Sequence, residues 1–346
     1  MRTLYSIRGS QNQGELVSLL RYLYKQPPNV ILDYLRWKHE HNPFNNHIVN
    51  YVAEHNNKIV GHIGYTAFPI KIAAPGHTDI CYTRGSLVVH PEYRKQGIAS
   101  QLLSHGSQEL SNFLNLSTTT QISSRSIIEK AGGFPLCKLT YRDATNARNF
   151  AHYALNYSRN NSTRVRNCTG DFSSDTNIRA EEMARLAQKV VIPRPVIELN
   201  RTEEFYRWRY QNPTRKYIHY FCGPNHQTTA FVSVVLSWNN LRGYIMDYGS
   251  ENPTELDRLL VFILKQNHFD ILSMPEFIID ENFQQINIAR KFKAKSIVYP
   301  FEVLQTRMIP LYVNGLMPQK SAWQYHGLDV RKKENWALTG GIKETE

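Results

Sequence analysis

Apolar residues near the start of the chain fall at three- and four-residue spacing. Leu16, Leu19, Leu20 and Leu23 share one helical face, which predicts a helix over residues 13–24. Pro27-Pro28 breaks it, because proline lacks an N–H and clashes with the preceding turn. Val30, Leu35 and Trp37 carry the apolar theme into a second helix over 29–38. From residue 48 the pattern changes to short, partly alternating runs. Ile48 to Glu54 and Lys58 to Tyr65 read as a hairpin around the Asn56-Asn57 turn. Phe68 to Ala73 and Cys81 to Val89 follow as strands separated by Pro75-Gly76. Ile98, Leu102, Leu103, Leu110, Phe113 and Leu114 restore a helical face. Leu116 to Ile122 reads as a strand. Ser123 to Gly132 reads as a helix, with Ser126 and Glu129 as a capping box, stopped by Gly132-Gly133. A last strand is expected near Leu136 to Tyr141.

The same order of features returns later. Arg36-Trp37 followed by Asn42-Pro43 recurs as Arg207-Trp208 followed by Asn212-Pro213. Both follow a helical stretch and both precede a hairpin, Tyr217 to Leu236 in the second case. Leu241 to Tyr248 then takes the place of the Cys81 to Val89 strand. Thr254 to Gln266, with Leu256, Leu259, Leu260 and Ile263 on one face, takes the place of the helix after it. So long a period argues for two copies of one fold and against a solenoid, whose units run about 20–50 residues. A length of 346 residues also favours two domains. We therefore expect one unit over residues 1–145, a linker over 146–170 and a second unit over 171–346. Residues from Gln319 onward, with Trp323 and Trp336, are irregular and expected to pack back on the second unit.

The formal net charge is +12, which favours an anionic partner without naming it. Cys81, Cys137, Cys168 and Cys222 are scattered without a CxxC pair, so a reduced, cytoplasmic setting with no zinc site is the simplest expectation. The N-terminal residues show no apolar core of a secretory signal, and no run approaches the ~20 apolar residues of a membrane span. Arg148, Arg159, Arg164 and Arg166 make the expected linker basic. Phe150, Tyr153 and Tyr157 among them are spaced for packing, so nucleic-acid binding there is disfavoured.

The stretch with chemistry in it is Ser86 to Ala99. Leu87, Val88 and Val89 end a strand, Pro91 stops ladder pairing, and Arg94-Lys95-Gln96-Gly97-Ile98-Ala99 opens the amphipathic helix. The first N–H groups of a helix have no internal partner and sit at the positive end of its dipole. Gly97 lets a ligand approach without a Cβ in the way, and Arg94 and Lys95 add full charges. The physics is that of a phosphate or pyrophosphate site.

The spacing R-x-x-G-x-A, led by Val89-His90-Pro91-Glu92-Tyr93, resembles motif A of the GNAT acetyltransferases. Ile127-Ile128-Glu129-Lys130-Ala131-Gly132-Gly133-Phe134 resembles their motif B ending, with one residue inserted. The resemblance covers residues 1–145. It implies an α/β (α+β) fold of two tandem GNAT-like domains, each a mixed, mostly antiparallel sheet flanked by helices. It also implies that acetyl-CoA is held as co-substrate, without a metal, by Leu87, Val88, Val89, Arg94, Lys95, Gln96, Gly97, Ile98 and Ala99. The second copy lacks R-x-x-G-x-A. Asp247 to Asn252 stands there, and two carboxylates would repel a pyrophosphate, so we expect a degenerate domain that does not bind CoA.

Direct acetyl transfer needs a neutral amine, a donor for the thioester oxygen and an acid for the thiolate. The family's usual acid stands near Ser86 and its usual tyrosine near Ile128, so both side chains depart from the pattern. Candidate groups are Asp79, Tyr82 and Ser86, with His77, His62 and Glu54 as further possible bases. His62 is better read as a satisfied core histidine, Glu54 as solvated, and Trp37 as structural. The expected activity is acetyl transfer to a primary amine of a small, anionic acceptor such as an amino sugar or nucleotide-linked sugar, with the second domain completing the cleft. A protein amine is the next choice of acceptor. The rival of a different class is an acetyl-CoA-binding regulatory module without catalysis.

Overall fold

The computed structural model describes residues 5–72, 77–118, 122–139, 141–145, 147–159, 171–190, 194–275, 309–314 and 323–337. The first series of elements is β1 (Ser6–Gly9), α1 (Gln13–Leu20), α2 (Pro28–Leu35), β2 (Asn50–His55), β3 (Lys58–Ile72), β4 (Thr78–Val89), α3 (Ile98–Glu109), β5 (Leu114–Thr118), α4 (Ile122–Lys130) and β6 (Phe134–Leu139). Next come β7 (Tyr141–Ala144), α5 (Ala147–Asn156), β8 (Phe172–Asp175), α6 (Ala180–Gln188), β9 (Ile197–Leu199), α7 (Glu203–Arg209), β10 (Tyr217–Cys222), β11 (Ala230–Leu236), β12 (Arg242–Ser250), α8 (Pro253–Gln266) and β13 (Ile271–Pro275). The chain closes with β14 (Ile309–Asn314), β15 (Gln324–Tyr325), β16 (Leu328–Asp329) and β17 (Trp336–Ala337). Apart from β9, the succession strand, two helices, three strands, helix, strand occurs twice, from β1 and again from β8.

The first sheet runs β1-β2-β3-β4-β5-β14-β6, with β9 also on β3 and β17 on β9. The second runs β8-β10-β11-β12-β13-β7. Both are mostly antiparallel, and in both the strand before the long helix pairs parallel with the strand after it. The expected fold class is therefore the observed one. Among the described residues, no helix is long and apolar enough to cross a membrane.

The sheets do not divide where the sequence pattern put the boundary. β14, from the C-terminal half, lies between β5 and β6 with Leu311 opposite both Thr118 and Cys137. β7, from the N-terminal half, edges the second sheet, with Leu272 opposite Ala144. Each half thus lends a strand to the other. The strand expected near Leu136 to Tyr141 is two strands in two sheets, which periodicity cannot separate. The expected linker is also partly structure: in α5, Tyr153 is buried against Leu241 and Ile271. Arg164 and Arg166 lie outside the described residues.

Other differences are local. The two strands expected on either side of Thr66 are one strand, β3, because its polar positions are buried by neighbouring strands on both edges. α3 stops at Glu109, so Leu110 caps it and Leu114 opens β5. The tail joins the first sheet, with β17 paired to β9, and Tyr325, Val330 and Trp336 enter a core that holds Ile70, Ile72 and Cys81 of the first sheet together with Phe221 and Phe231 of the second. Pro75 and Gly76 lie outside the described residues.

The repeated Arg-Trp pairs meet each other. After α2 the chain makes a π turn over Arg36–Glu40 that turns Trp37, Lys38 and His39 inward together. The Trp37 and Trp208 rings stack with centroids 5.2 Å apart and planes 8° from parallel. Trp37 Nε1 donates to the Trp208 carbonyl at 2.8 Å, and Trp208 Nε1 donates to the Trp37 carbonyl at 2.9 Å. The Arg209 guanidinium lies 5.7 Å from the Trp37 ring centre. The Asn-Pro pairs that follow are matching turns, with Asn42 Oδ1 accepting from Phe44 N and Asn212 Oδ1 from Thr214 N, each at 3.0 Å. The structural role expected for Trp37 is what the contact shows.

Truncating either indole empties a buried volume and strands a carbonyl, so Trp208→Ala is expected to cost about 3–5 kcal/mol, and Trp208→Phe about 1–2 kcal/mol. Urea unfolding of both variants measures this; equal small effects would show that the stack does not hold the halves together.

Candidate active site

β4 is the strand on which the site is built. Its parallel ladder to β5 runs from Cys81↔Leu114 to Arg84↔Ser117. Beyond Arg84, no described strand pairs with it on that side. On the other side β3 pairs with β4 through a bulge: Gly64 faces Gly85 and His62 faces Val88, with the register shift between them. Ser86 sits in the bulge at φ +56°, a left-handed conformation costly for a residue with a Cβ.

Two side chains hold the bulge. His62, fully buried, places Nδ1 3.0 Å from the Ser86 carbonyl and Nε2 3.0 Å from the Asn50 side chain. Burial pushes its pKa down to about 4, against the Ser86 carbonyl bond, which favours the protonated ring; nearby Lys38 pushes it down further. The ring is therefore neutral at pH 7. Nδ1–H donates to Ser86, and Nε2 accepts from Asn50, whose amide must present its NH2 end. The other support is the Tyr24 hydroxyl, 2.7 Å from Ser86 Oγ. His62 is thus a core histidine with both nitrogens engaged, as expected, and its position makes it a support of the site.

The anion loop follows directly. Val88 packs with α1 and α2, while Leu87 and Val89 pack on the α3 side, so the strand end is gripped from both faces. Arg94 Nε donates to the Val89 carbonyl at 3.2 Å, and Gln96 Nε2 to the Glu92 carbonyl at 3.4 Å. Lys95 (φ +63°) and Gly97 (φ +83°) are both left-handed, which turns successive N–H groups inward as a concave nest. The N–H groups of Lys95, Gln96, Gly97, Ile98 and Ala99 find no partner among the described residues. A Cβ on Gly97 would meet nothing nearer than Gln101 Nε2 at 3.9 Å, so the space above it is open. Ile98, 1 % exposed, anchors the helix start in the core against Gly61, where a Cβ would stand 2.7 Å from Ile98 Cγ2. The expected cofactor residues are therefore gathered at one strand end and one helix start.

The expected catalytic residues are not gathered. Ser86 stands at the bulge. Asp79 lies seven residues back along β4, roughly 23 Å away at ~3.3 Å per residue. Its carboxylate accepts from Tyr325 O–H at 3.0 Å and from Ile80 N–H at 2.7 Å. Tyr82 is fully buried beside Phe113, and burial pushes its phenol up to about 12. Neither reaches the exposed end of the strand. Glu54 is paired to Arg8 at 2.8 Å, and His77 packs on His326, with ring centres 4.0 Å apart. Ile128 is buried where the family's tyrosine would stand. Tyr24 was not singled out from sequence: it lies in the turn after α1, and only tertiary packing brings it to Ser86.

A cavity of about 390 Å³ opens beside Tyr24, between α2 and the strand ends of β10 and β11. In the second half the matching slot is filled. A Cβ on Gly249 would fall 2.8 Å from the Ala187 nitrogen at the end of α6. Arg201 and Asp247 form a buried pair at 2.8 Å, and Tyr206 O–H donates to the same carboxylate at 3.0 Å. Asn252 caps α8 by accepting from Glu255 N at 3.0 Å. The two carboxylates expected to repel a pyrophosphate are not bare, since Asp247 is paired with Arg201, and Glu251 with Arg185 at 2.6 Å. The helix start is already capped by the protein itself, which the start of α3 is not.

Residues 16–130, 115 of the 346, match the acetyltransferase (GNAT) family, so the chain carries a GNAT domain there. Solved structures share the fold at low identity. A GCN5-related N-acetyltransferase from Anabaena variabilis is 11 % identical with a TM-score of 0.58, covering 90 % of this chain and 72 % of that one. A conserved protein from Enterococcus faecalis is 10 % identical with a TM-score of 0.55, covering 79 % of this chain; the chain spans 65 % of it. N-myristoyltransferase from Saccharomyces cerevisiae, with bound myristoyl-CoA, is 11 % identical with a TM-score of 0.53, covering 89 % of this chain and 82 % of that one. No curated protein matches the chain in sequence.

His62 and His219 are both buried with pKa values pushed down to about 4, mainly by burial. Below pH ~6.5 the unfolded chain takes protons that the folded chain refuses, so stability is full above that value and falls as pH drops toward 4. Each histidine accounts for up to about 3 kcal/mol of that loss. Denaturation midpoints measured between pH 7 and 4.5 are expected to fall, and a flat profile would mean that these rings are not buried and neutral.

Proposed function

We propose that the GNAT domain over residues 16–130 makes this protein an acyl-CoA-dependent N-acyltransferase, with acetyl-CoA as donor and a primary amine of a small molecule as acceptor. The observation that carries the reading is that the Lys95–Ala99 nest directly follows the end of β4 that has no described partner on its β5 side. The nest offers free N–H groups to a pyrophosphate. The strand end offers backbone groups to a pantetheine arm running from it. A thioester laid along Leu87, Val88 and Val89 ends near the Ser86 bulge.

The amine nitrogen attacks the thioester carbon, the C–S bond breaks, one proton leaves the nitrogen and one reaches the sulfur. A strand N–H serves the developing oxyanion. Tyr24, held at Ser86, is the candidate donor to the leaving thiolate, the role that Ile128 cannot play. Asp79 and Tyr82 have no part in this reading. The second half supplies no CoA site and acts as the outer wall of the acceptor cleft; the filled slot at Gly249 supports this.

Gly97→Val is expected to weaken acetyl-CoA binding at least tenfold by calorimetry. Gly327→Val imposes the same left-handed strain in open space far from the loop, and should leave it unchanged. Equal effects would defeat the assignment of the loop. Tyr24→Phe is expected to lower kcat by about 100-fold or more, the usual range for a proton-transfer group, while the acetyl-CoA Kd stays within twofold. An unchanged kcat would remove Tyr24 from the chemistry. Release of free CoA thiol with an amine panel tests the activity itself, and none at all despite acetyl-CoA binding would favour a regulatory module.

A further inference from the structure

Beside the reacting end of β4, the cavity of about 390 Å³ has walls of a distinct chemistry. Tyr24 and Tyr34 form one side, Val30, Ile31 and Leu236 line it with apolar surface, and Trp238 stands on the turn after β11. Arg215 and Lys216 close the far side, just before β10, and none of the lining residues is acidic. The volume is at the low end for small-molecule sites. Tyr24 belongs to both places: its ring lines the cavity and its hydroxyl meets Ser86 Oγ at 2.7 Å. Tyr24 is therefore the residue that the cavity shares with the bulge where the thioester is expected.

We propose that this cavity is the acceptor site, and that it selects an amine carrying an anionic group at the far end of an apolar or aromatic body. The inference rests on the transferase reading and adds the substrate class. Lys216 is exposed and makes no ion pair among the described residues, so it is available to a carboxylate or phosphate. Trp238 leaves 64 % of its surface in water, and among the described rings it meets Tyr157 edge-on, 6.3 Å between centres. A flat apolar body between Trp238 and the tyrosines would cover it.

The same charge arrangement suits the chemistry. A carboxylate in the site would hold the acceptor as an ammonium, which has no lone pair to attack with. Here nearby cations disfavour the ammonium form and favour the free base. The second half thereby does more than wall the cleft: Arg215, Lys216 and Trp238 choose the substrate, and the first half performs the reaction.

The test uses three amines of one size: 4-(aminomethyl)benzoate, benzylamine and 1,4-bis(aminomethyl)benzene. With acetyl-CoA as donor and thiol release as the signal, kcat/KM for the benzoate is expected to exceed that for benzylamine at least tenfold. The diamine is expected to be poorest. Lys216→Glu should erase the preference, and Trp238→Ala should raise KM for the benzoate with kcat nearly unchanged, both with acetyl-CoA binding intact. A preference for the neutral amine or the diamine, or one that survives Lys216→Glu, overturns the inference and leaves the transferase reading standing. If acetyl-CoA binds but no amine releases thiol, the transferase reading has failed. Calorimetric titration of 4-(aminomethyl)benzoate then decides: binding lost in Lys216→Glu keeps the cavity as a site for such ligands, and no binding overturns it.

Discussion

The stacked indoles of Trp37 and Trp208 are the contact on which the arrangement of the halves depends. Each ring bonds the other's backbone, so the contact is reciprocal in the way of a local two-fold. An aromatic pair adds about 0.5–1.5 kcal/mol beyond the area it buries, and two satisfied N–H donors fix its orientation. Orientation is the part that matters. α2 leads directly into Trp37, and β10 begins a few residues after Trp208, so the stack sets the gap between them. That gap is the cavity beside Tyr24.

The two halves then show what one scaffold does with and without an open slot. In both, the strand before the long helix outruns its described parallel partner, beyond Arg84 in the first and beyond Tyr244 in the second, but only in the first do the N–H groups at the helix start lack a partner among the described residues. In the second, α6 lies against Gly249, an ion pair fills the interior, and Asn252 satisfies the helix start. Burying Arg201 with Asp247 costs desolvation that close geometry and the extra bond from Tyr206 must offset.

The anion loop was legible in the chain because it is local. Arg94 to Ala99 are consecutive, and strand, loop and helix each carry their own pattern. The repeat was legible for the same reason, through Arg36-Trp37 and Arg207-Trp208, although nothing in the two dipeptides says that they touch. The side chains that surround the strand end were not legible. Asp79 and Tyr82 lie on the right strand, but the strand is too long and their stretch of it is sealed by β5 and the core. Tyr24 has no marker at all, since its partner Ser86 is brought to it by the packing of α1 on β4. The bulge itself comes from a mismatch in strand lengths between His62 and Val88, visible only once the strands are paired.

The exchange of β7 and β14 has a consequence for how the protein is made. During synthesis the first sheet has β5 and β6 in hand when residue 139 emerges, yet the strand that belongs between them ends at residue 314. At ~5–20 residues per second that wait is on the order of ten to thirty seconds. Through it, two strands with unpaired edges stand in the open, the condition that invites pairing with another chain. The reactive half therefore cannot finish folding first and wait for its companion. Its sheet is completed only after the second sheet, whose last strand in sequence, β13, ends at residue 275, so a chain cut between the two carries the Arg94 to Ala99 loop without the finished sheet behind it.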